Sequence, residues 1–343
     1  MSHWQEKHIS RLSLKHIVLG SLGGSIGILG AIFAVALYIV ESLTRPRRLD
    51  SFVDLYTFTP FELNLPAEEI TFPALHGEHL VSGWYVPSPQ ASTTVIISPG
   101  YRGRRSDLLG MTGKLWTAGY NVLAFEYYGH GAVVGEPITL GYHEINDFLG
   151  AVAYARQRAP QAHLGAMGYS MGASVSIMGC AKTSEVEALV ADSAFATHRS
   201  AVAYAVRRTL HLPYILFDWV TDMVLWWRAG YHFRQVEPLR DIRRITPRPI
   251  LIIHGLKDSV VDPKDALLLY AAAKEPKELW LLPDVEHCGA YFADRVAYTQ
   301  KVIDFFDLHL RKSQLSNNGK CAGIEGTVNL LGGARSMPET ETV

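Results

Sequence analysis

A strand that must turn abruptly into a helix narrows the choice of fold more than any other feature of this chain. Gly168-Tyr169-Ser170-Met171-Gly172 stands between the apolar segment His163–Met167, readable as a buried strand, and the small apolar run Ala173–Ala181, which suits a helix packed under a sheet. A serine on so tight a turn is pushed out into the cleft, and the flanking glycines let helix and strand approach closely. Ser170 is the candidate nucleophile. Gly23-Gly24-Ser25-Ile26-Gly27 has the same spacing, but it lies inside an uncharged apolar run with no switch from strand to helix, so Ser25 carries no such reading.

The segments around that turn alternate. Glu69–Leu75 and His79–Val86 read as two strands joined by a turn at His76-Gly77-Glu78. Thr93–Ser98 is a continuous apolar strand of the kind buried on both faces of a parallel sheet. Helix Ser106–Ala118, strand Asn121–Phe125, helix Tyr142–Gln157 and the strand before Ser170 follow. Later come strands at Ala188–Ala191, Ile250–Ile253 and Glu278–Leu282, and an amphipathic helix over Tyr291–Leu310. Such alternation predicts an α/β domain over residues 68–312, a mostly parallel sheet with helices on both faces. Residues 195–245 interrupt it with nine aromatics, among them Trp226 and Trp227, and are expected to cap the active site and wall an apolar substrate pocket. Residues 313–343 are polar, Gly-rich and aperiodic, the composition of a disordered tail.

Ile17–Val40 holds no charge, and as a helix it would be about 36 Å long, enough to cross the ~30 Å hydrocarbon layer. It is expected to be an uncleaved transmembrane helix, with 1–16 as a leader and 41–67 as a juxtamembrane connector. A cleaved signal peptide ending near Ala34-Val35-Ala36 is the competing reading. Gly23, Gly27 and Ala31 form a small-residue stripe that could pair two such helices. Lys7, Arg11 and Lys15 before the run balance Arg45, Arg47 and Arg48 after it, so charge does not orient it. A short charged leader ahead of an apolar run points to the domain lying outside the cytoplasm.

The net charge of -1 speaks against a nucleic-acid partner. Cys180, Cys288 and Cys321 are too few and scattered for a disulfide framework or a zinc site. With no HExxH and no Gly-rich phosphate loop, no cofactor and no metal is implied.

A serine hydroxyl needs a base, and the base needs a third group to fix its tautomer. Asp258 follows the strand beginning at Ile250, and His287 follows the strand ending at Leu282. Ser170, Asp258 and His287 thus fall in the chain order of one hydrolase architecture. Asp192, which ends an earlier strand, is the rival acid.

Pro99-Gly100-Tyr101-Arg102-Gly103, Gly129-His130-Gly131, Gly168–Gly172, His254-Gly255-Leu256-Lys257-Asp258 and Glu286-His287 together resemble the α/β-hydrolase superfamily over about residues 68–311. The resemblance is to serine esterase-like members of the Bem46 and ABHD type, and it implies a triad of Ser170, Asp258 and His287. It also implies an oxyanion hole made by the backbone N–H groups of Tyr101 and Met171, the latter at a helix N-terminus that favours negative charge. Relatives commonly have His-Gly where this chain has Pro99-Gly100, and aspartate where it has Glu126; neither position is in the triad. The expected function is a membrane-tethered serine hydrolase of carboxylic esters, with an acyl lipid or acyl ester as substrate. A serine peptidase of the prolyl-oligopeptidase type, which normally carries a large extra domain, and a catalytically silent binding protein on the same fold remain the alternatives.

Overall fold

The computed structural model describes residues 27–45, 58–77, 79–89, 91–131, 137–211 and 213–311, together with the backbone of 328–330. Its sheet runs β1 (Glu68–Pro73), β2 (Leu80–Val86), β4 (Asn121–Glu126), β3 (Thr93–Ser98), β5 (His163–Tyr169), β6 (Val186–Asp192), β7 (Ile250–Gly255), β8 (Lys277–Leu282), β9 (Val328–Leu330). Only β1–β2 and β2–β4 pair antiparallel; all later pairings are parallel. Successive strand side chains point to opposite faces, and the core divides accordingly. Ile96, Leu123 and Ile252 join one cluster with α3 (Glu144–Arg158), α4 (Met171–Cys180) and α8 (Lys264–Ala272). Val95, Val122 and Ile253 join the other with α2 (Leu109–Thr117) and α10 (Arg295–Leu310). Both faces of the central strands are therefore buried, as their continuous apolar runs require.

Four expectations change. The last helix is broken into α9 (Ala290–Ala293) and α10, because the Asp294 carboxylate accepts the Val296 and Ala297 N–H groups and caps a new start. Helix α8 was not foreseen. Within the polar tail, Val328–Leu330 pairs with β8 as an edge strand; residues 312–327 and 331–343 lie outside the described residues. The fourth change concerns the apolar N-terminal run.

Of the expected span, residues 17–26, Gly23 among them, lie outside the described residues. The remainder is α1 (Gly27–Thr44), a single helix with mean hydropathy 1.9 that continues past Val40 into the expected connector. Gly27 and Ala31 are exposed on its first turns. From Ile32 onward it carries a stripe facing the domain, with Ala36, Ile39 and Val40 buried and Ile32, Val35 and Leu43 half-buried. Its end is tied down by polar contacts: Arg228 Nε to Glu41 at 2.8 Å, Tyr101 Oη to the Leu43 carbonyl at 2.8 Å, and an Arg102 guanidinium N–H to the Arg45 carbonyl at 2.8 Å.

Between β6 and β7 lies a helical insertion made of α5 (His198–Leu210), α6 (Asp218–Ala229), α7 (Pro238–Asp241) and short 3-10 turns. Tyr214, Phe217, Tyr231 and Phe233 pack inward. His198, fully buried, stacks on Tyr231 and meets Phe233 edge-on. Burial lowers its pKa to about 4 from 6.5, so the unfolded chain takes up this proton first as pH falls. The stability His198 confers by staying neutral is present above pH 6.5 and is lost as pH falls from there towards about 4. The loss is of order 3 kcal/mol. His198→Phe should flatten the fall in urea-unfolding stability between pH 7 and pH 4.5; an unchanged slope would show that other groups set it.

Candidate active site

Ser170 caps α4 with φ 52° and ψ -118°, a left-handed backbone that costs a non-glycine residue roughly 1–3 kcal/mol. The two glycines around it are required by proximity. A Cβ on Gly168 would lie 2.5 Å from the Gly172 carbonyl, and one on Gly172 would lie 2.2 Å from the Pro99 oxygen. Strand, helix and the Pro99 loop therefore close together only without side chains there. The Ser170 N–H is anchored on the Asp192 carbonyl at 2.8 Å.

The three candidate polar side chains converge. His287 Nε2 stands 2.9 Å from Ser170 Oγ, and His287 Nδ1 stands 2.7 Å from Asp258 Oδ2. Asp258 is buried, which alone would raise its pKa, but the His254 ring 3.1 Å away and hydrogen bonds from His287 and the Val261 N–H prevail and hold its carboxyl well below the usual range. An ionised carboxylate at Nδ1 keeps the proton on that nitrogen and leaves Nε2 free to accept from Ser170. The other carboxylate oxygen accepts the Val260 and Val261 N–H groups, both at 2.8 Å, which fixes its rotation.

Asp192 is the carboxylate that does not reach His287. It takes the Tyr298 hydroxyl at 2.6 Å and the Ser193 hydroxyl at 2.9 Å, and burial pushes its pKa up. Its effect on the site is indirect, since Ser193 Oγ in turn accepts the Cys288 N–H at 3.1 Å, next to His287.

Tyr101 lies in the loop after β3 and lines the cavity at Ser170, while Met171 opens α4. Neither backbone N–H has a hydrogen-bond partner among the described residues. The Tyr101 loop is held by a residue noted in the sequence only as part of a turn. His130 Nδ1 accepts the Arg102 N–H at 3.0 Å, so its proton sits on Nε2, which faces Glu144 Oε1 at 3.1 Å. Glu144 is itself buried, which pushes its pKa up, yet hydrogen bonds from His130 and Thr139 bring it down to about 2. The Gly129-His130-Gly131 turn was the only sequence signal for this pair.

A cavity of about 710 Å³ opens at Ser170 and His287. Its apolar walls come from Phe58 and Leu63, from Leu108, Leu109 and Met111, and from Phe292. Trp226 and Trp227, expected to wall it, do not line it. They sit on α6 with 54% and 63% of their surface exposed, because α6 turns Thr221, Val224 and Leu225 inward instead. Cys288 lines the cavity, and Cys180 is buried; both are free thiols. Among the described residues no cluster of three or more His, Cys, Asp or Glu side chains could hold a metal ion.

Residues 137–313 match the prolyl oligopeptidase family. The chain is 31% identical over 277 residues to the uncharacterised protein YfhR of Salmonella typhi, covering 75% of this chain and 85% of that one. It is 26% identical over 298 residues to the uncharacterised protein YqkD of Bacillus subtilis, covering 85% and 96%. In structure it resembles the esterase Pf2001 of Pyrococcus furiosus, with a TM-score of 0.63 at 24% identity over 78% of this chain and all of that one. It also resembles the acylaminoacyl peptidase of Pyrococcus horikoshii, with a TM-score of 0.57 at 16% identity over 80% of this chain and 44% of that one.

Proposed function

The chain belongs to the prolyl oligopeptidase family of serine hydrolases on the α/β-hydrolase fold, and on that premise we propose that it is a membrane-tethered hydrolase of carboxylic esters with an apolar acyl part. The observation that carries the reading is the relay Ser170–His287–Asp258 at the floor of a cavity with mainly apolar walls. In this mechanism Ser170 Oγ attacks the ester carbonyl while His287 Nε2 takes its proton. The oxyanion is held by the Tyr101 and Met171 N–H groups, and Asp258 stabilises the imidazolium. Collapse expels the alcohol, which leaves with the proton from Nε2, and an acyl-enzyme remains. Water then repeats the sequence, losing its proton to His287 and releasing the acid.

Tethering is supported by the length and apolarity of Ile17–Val40 and by the continuity of α1 through Ala34-Val35-Ala36. Cleavage there would strip Ile32, Val35 and Ala36 from the stripe that packs on the domain. We place the domain outside the cytoplasm, on the leader's order of charge and apolarity.

The substrate reading rests on the walls. Each buried methylene contributes ~0.8 kcal/mol, so kcat/KM along a series of p-nitrophenyl esters should rise about fourfold per carbon until the cavity fills. Ser106 lines the cavity and is half-buried, so Ser106→Phe should end that rise at shorter chains. Trp226→Ala and Trp227→Ala should leave the profile alone. If Ser106→Phe does not move the optimum chain length, the acyl group binds elsewhere. The family match favours a second reading, hydrolysis of a peptide amide. Matched ester and amide substrates separate the two, since a faster amide would install the peptidase reading.

A further inference from the structure

Helix α6 is apolar on its inner face and also carries an apolar stripe on the face turned outward. Thr221, Val224 and Leu225 face the core, while Trp219, Met223, Trp226 and Trp227, spaced i, i+4, i+7 and i+8, form one exposed stripe. The turn just before it adds Ile215 and Leu216, 85% and 60% exposed. The charged end of α6 does not point away from this face; Arg228 reaches Glu41 of α1. That contact ties the exposed apolar face of α6 to the helix read above as the membrane span.

The geometry of α1 says how deep that face would lie. On the anchor reading, a span that began at Ile17 would need about 20 helical residues to cross a hydrocarbon layer of ~30 Å, and so would end at about Ala36. The stripe packed on the domain begins earlier, at Ile32. Span and docked segment therefore overlap by about a turn, roughly 5 Å of rise. No linker separates them, because α1 is one helix whose end is clamped to Tyr101, Arg102 and Arg228. The domain surface beside α1 must then dip below the level of the lipid headgroups. The residues on offer there suit that depth: tryptophans at the interfacial belt, with isoleucine, leucine and methionine beside them.

We infer that the α6 face formed by Ile215, Leu216, Trp219, Met223, Trp226 and Trp227 is immersed in the outer part of a phospholipid bilayer, so that the insertion docks on lipid rather than covering the cavity. This rests on the anchor reading above, and it assigns the exposed tryptophans to the membrane instead of the substrate.

The test uses the full chain reconstituted in phosphatidylcholine vesicles whose acyl chains are brominated near the headgroup, which quench tryptophan fluorescence by contact. The wild type should be quenched strongly, and the triple variant Trp219→Phe, Trp226→Phe, Trp227→Phe should lose about half or more of the quenched signal, as expected if these are the interfacial anchors. Acrylamide in the water should quench the same tryptophans weakly. Carbonate extraction of the same vesicles checks the anchor separately. A chain that resists extraction while the triple variant keeps the full brominated-lipid quenching would overturn the immersed face and leave the anchor standing. A chain released by carbonate would overturn both. Protection from acrylamide that depends on protein concentration, without quenching by brominated lipid, would identify a second copy as the occupant and also overturn the proposal.

Discussion

Ser170→Ala is expected to abolish labelling by a fluorophosphonate and to lower ester kcat about ten-thousand- to million-fold, the scale on which triad serines are lost elsewhere. The change removes only Oγ, whose partner is His287 Nε2 at 2.9 Å. The backbone at φ 52° is equally strained for alanine, and the N–H still reaches the Asp192 carbonyl. Melting temperature should therefore hold within a few degrees while activity disappears. Undiminished labelling of the alanine variant would place the nucleophile elsewhere.

Asp258→Asn should be nearly as damaging, about ten-thousand-fold in kcat. The Val260 and Val261 N–H groups hold one carboxylate oxygen and would select the amide oxygen of asparagine. Its NH2 would then face His287 Nδ1, forcing that nitrogen to accept and moving the imidazole proton to Nε2, where it can no longer take the proton of Ser170. Asp192→Asn disturbs Tyr298 and Ser193 instead, and should cost stability with a modest loss of kcat. Steady-state kinetics and thermal melts on both variants check this. The reverse pattern, a collapse of kcat at Asp192 and not at Asp258, would falsify the assignment.

How far the sequence could be read depended on whether a residue's role was local. Thr93–Ser98 was bounded to the residue, since a run of β-branched and apolar residues with Pro99-Gly100 after it allows little else. The turn at Ser170 was equally plain, because strand, glycines and helix are all adjacent. Choosing between Asp258 and Asp192 was harder. Both lie at the carboxyl end of a strand, Asp192 as its last residue and Asp258 three residues beyond, and what separates them is Tyr298, far along the chain, which occupies Asp192. The pocket was misread for a related reason. Nine aromatics in one insertion show that something apolar is to be buried, but only packing decides which way α6 turns its tryptophans. The actual walls come from Phe58 and Leu63 on one side and Phe292 on the other, pieces with no common pattern. The break at Asp294 was legible as a cap, but the apolar periodicity running through it masked the signal.

The contacts at the end of α1 make this helix part of the skeleton of the loop that faces Ser170. Tyr101 and Arg102 hold its last carbonyls with their side chains, and the same two residues carry the proposed oxyanion donor and the N–H that His130 receives. Pulling or tilting α1 would act first on the Pro99–Gly103 loop, a few ångströms from Ser170. If α1 spans a bilayer as proposed, bilayer thickness, which sets how such a helix tilts, becomes a variable of the proposed chemistry, and a chain shortened to remove α1 should differ from the full chain in activity as well as in solubility.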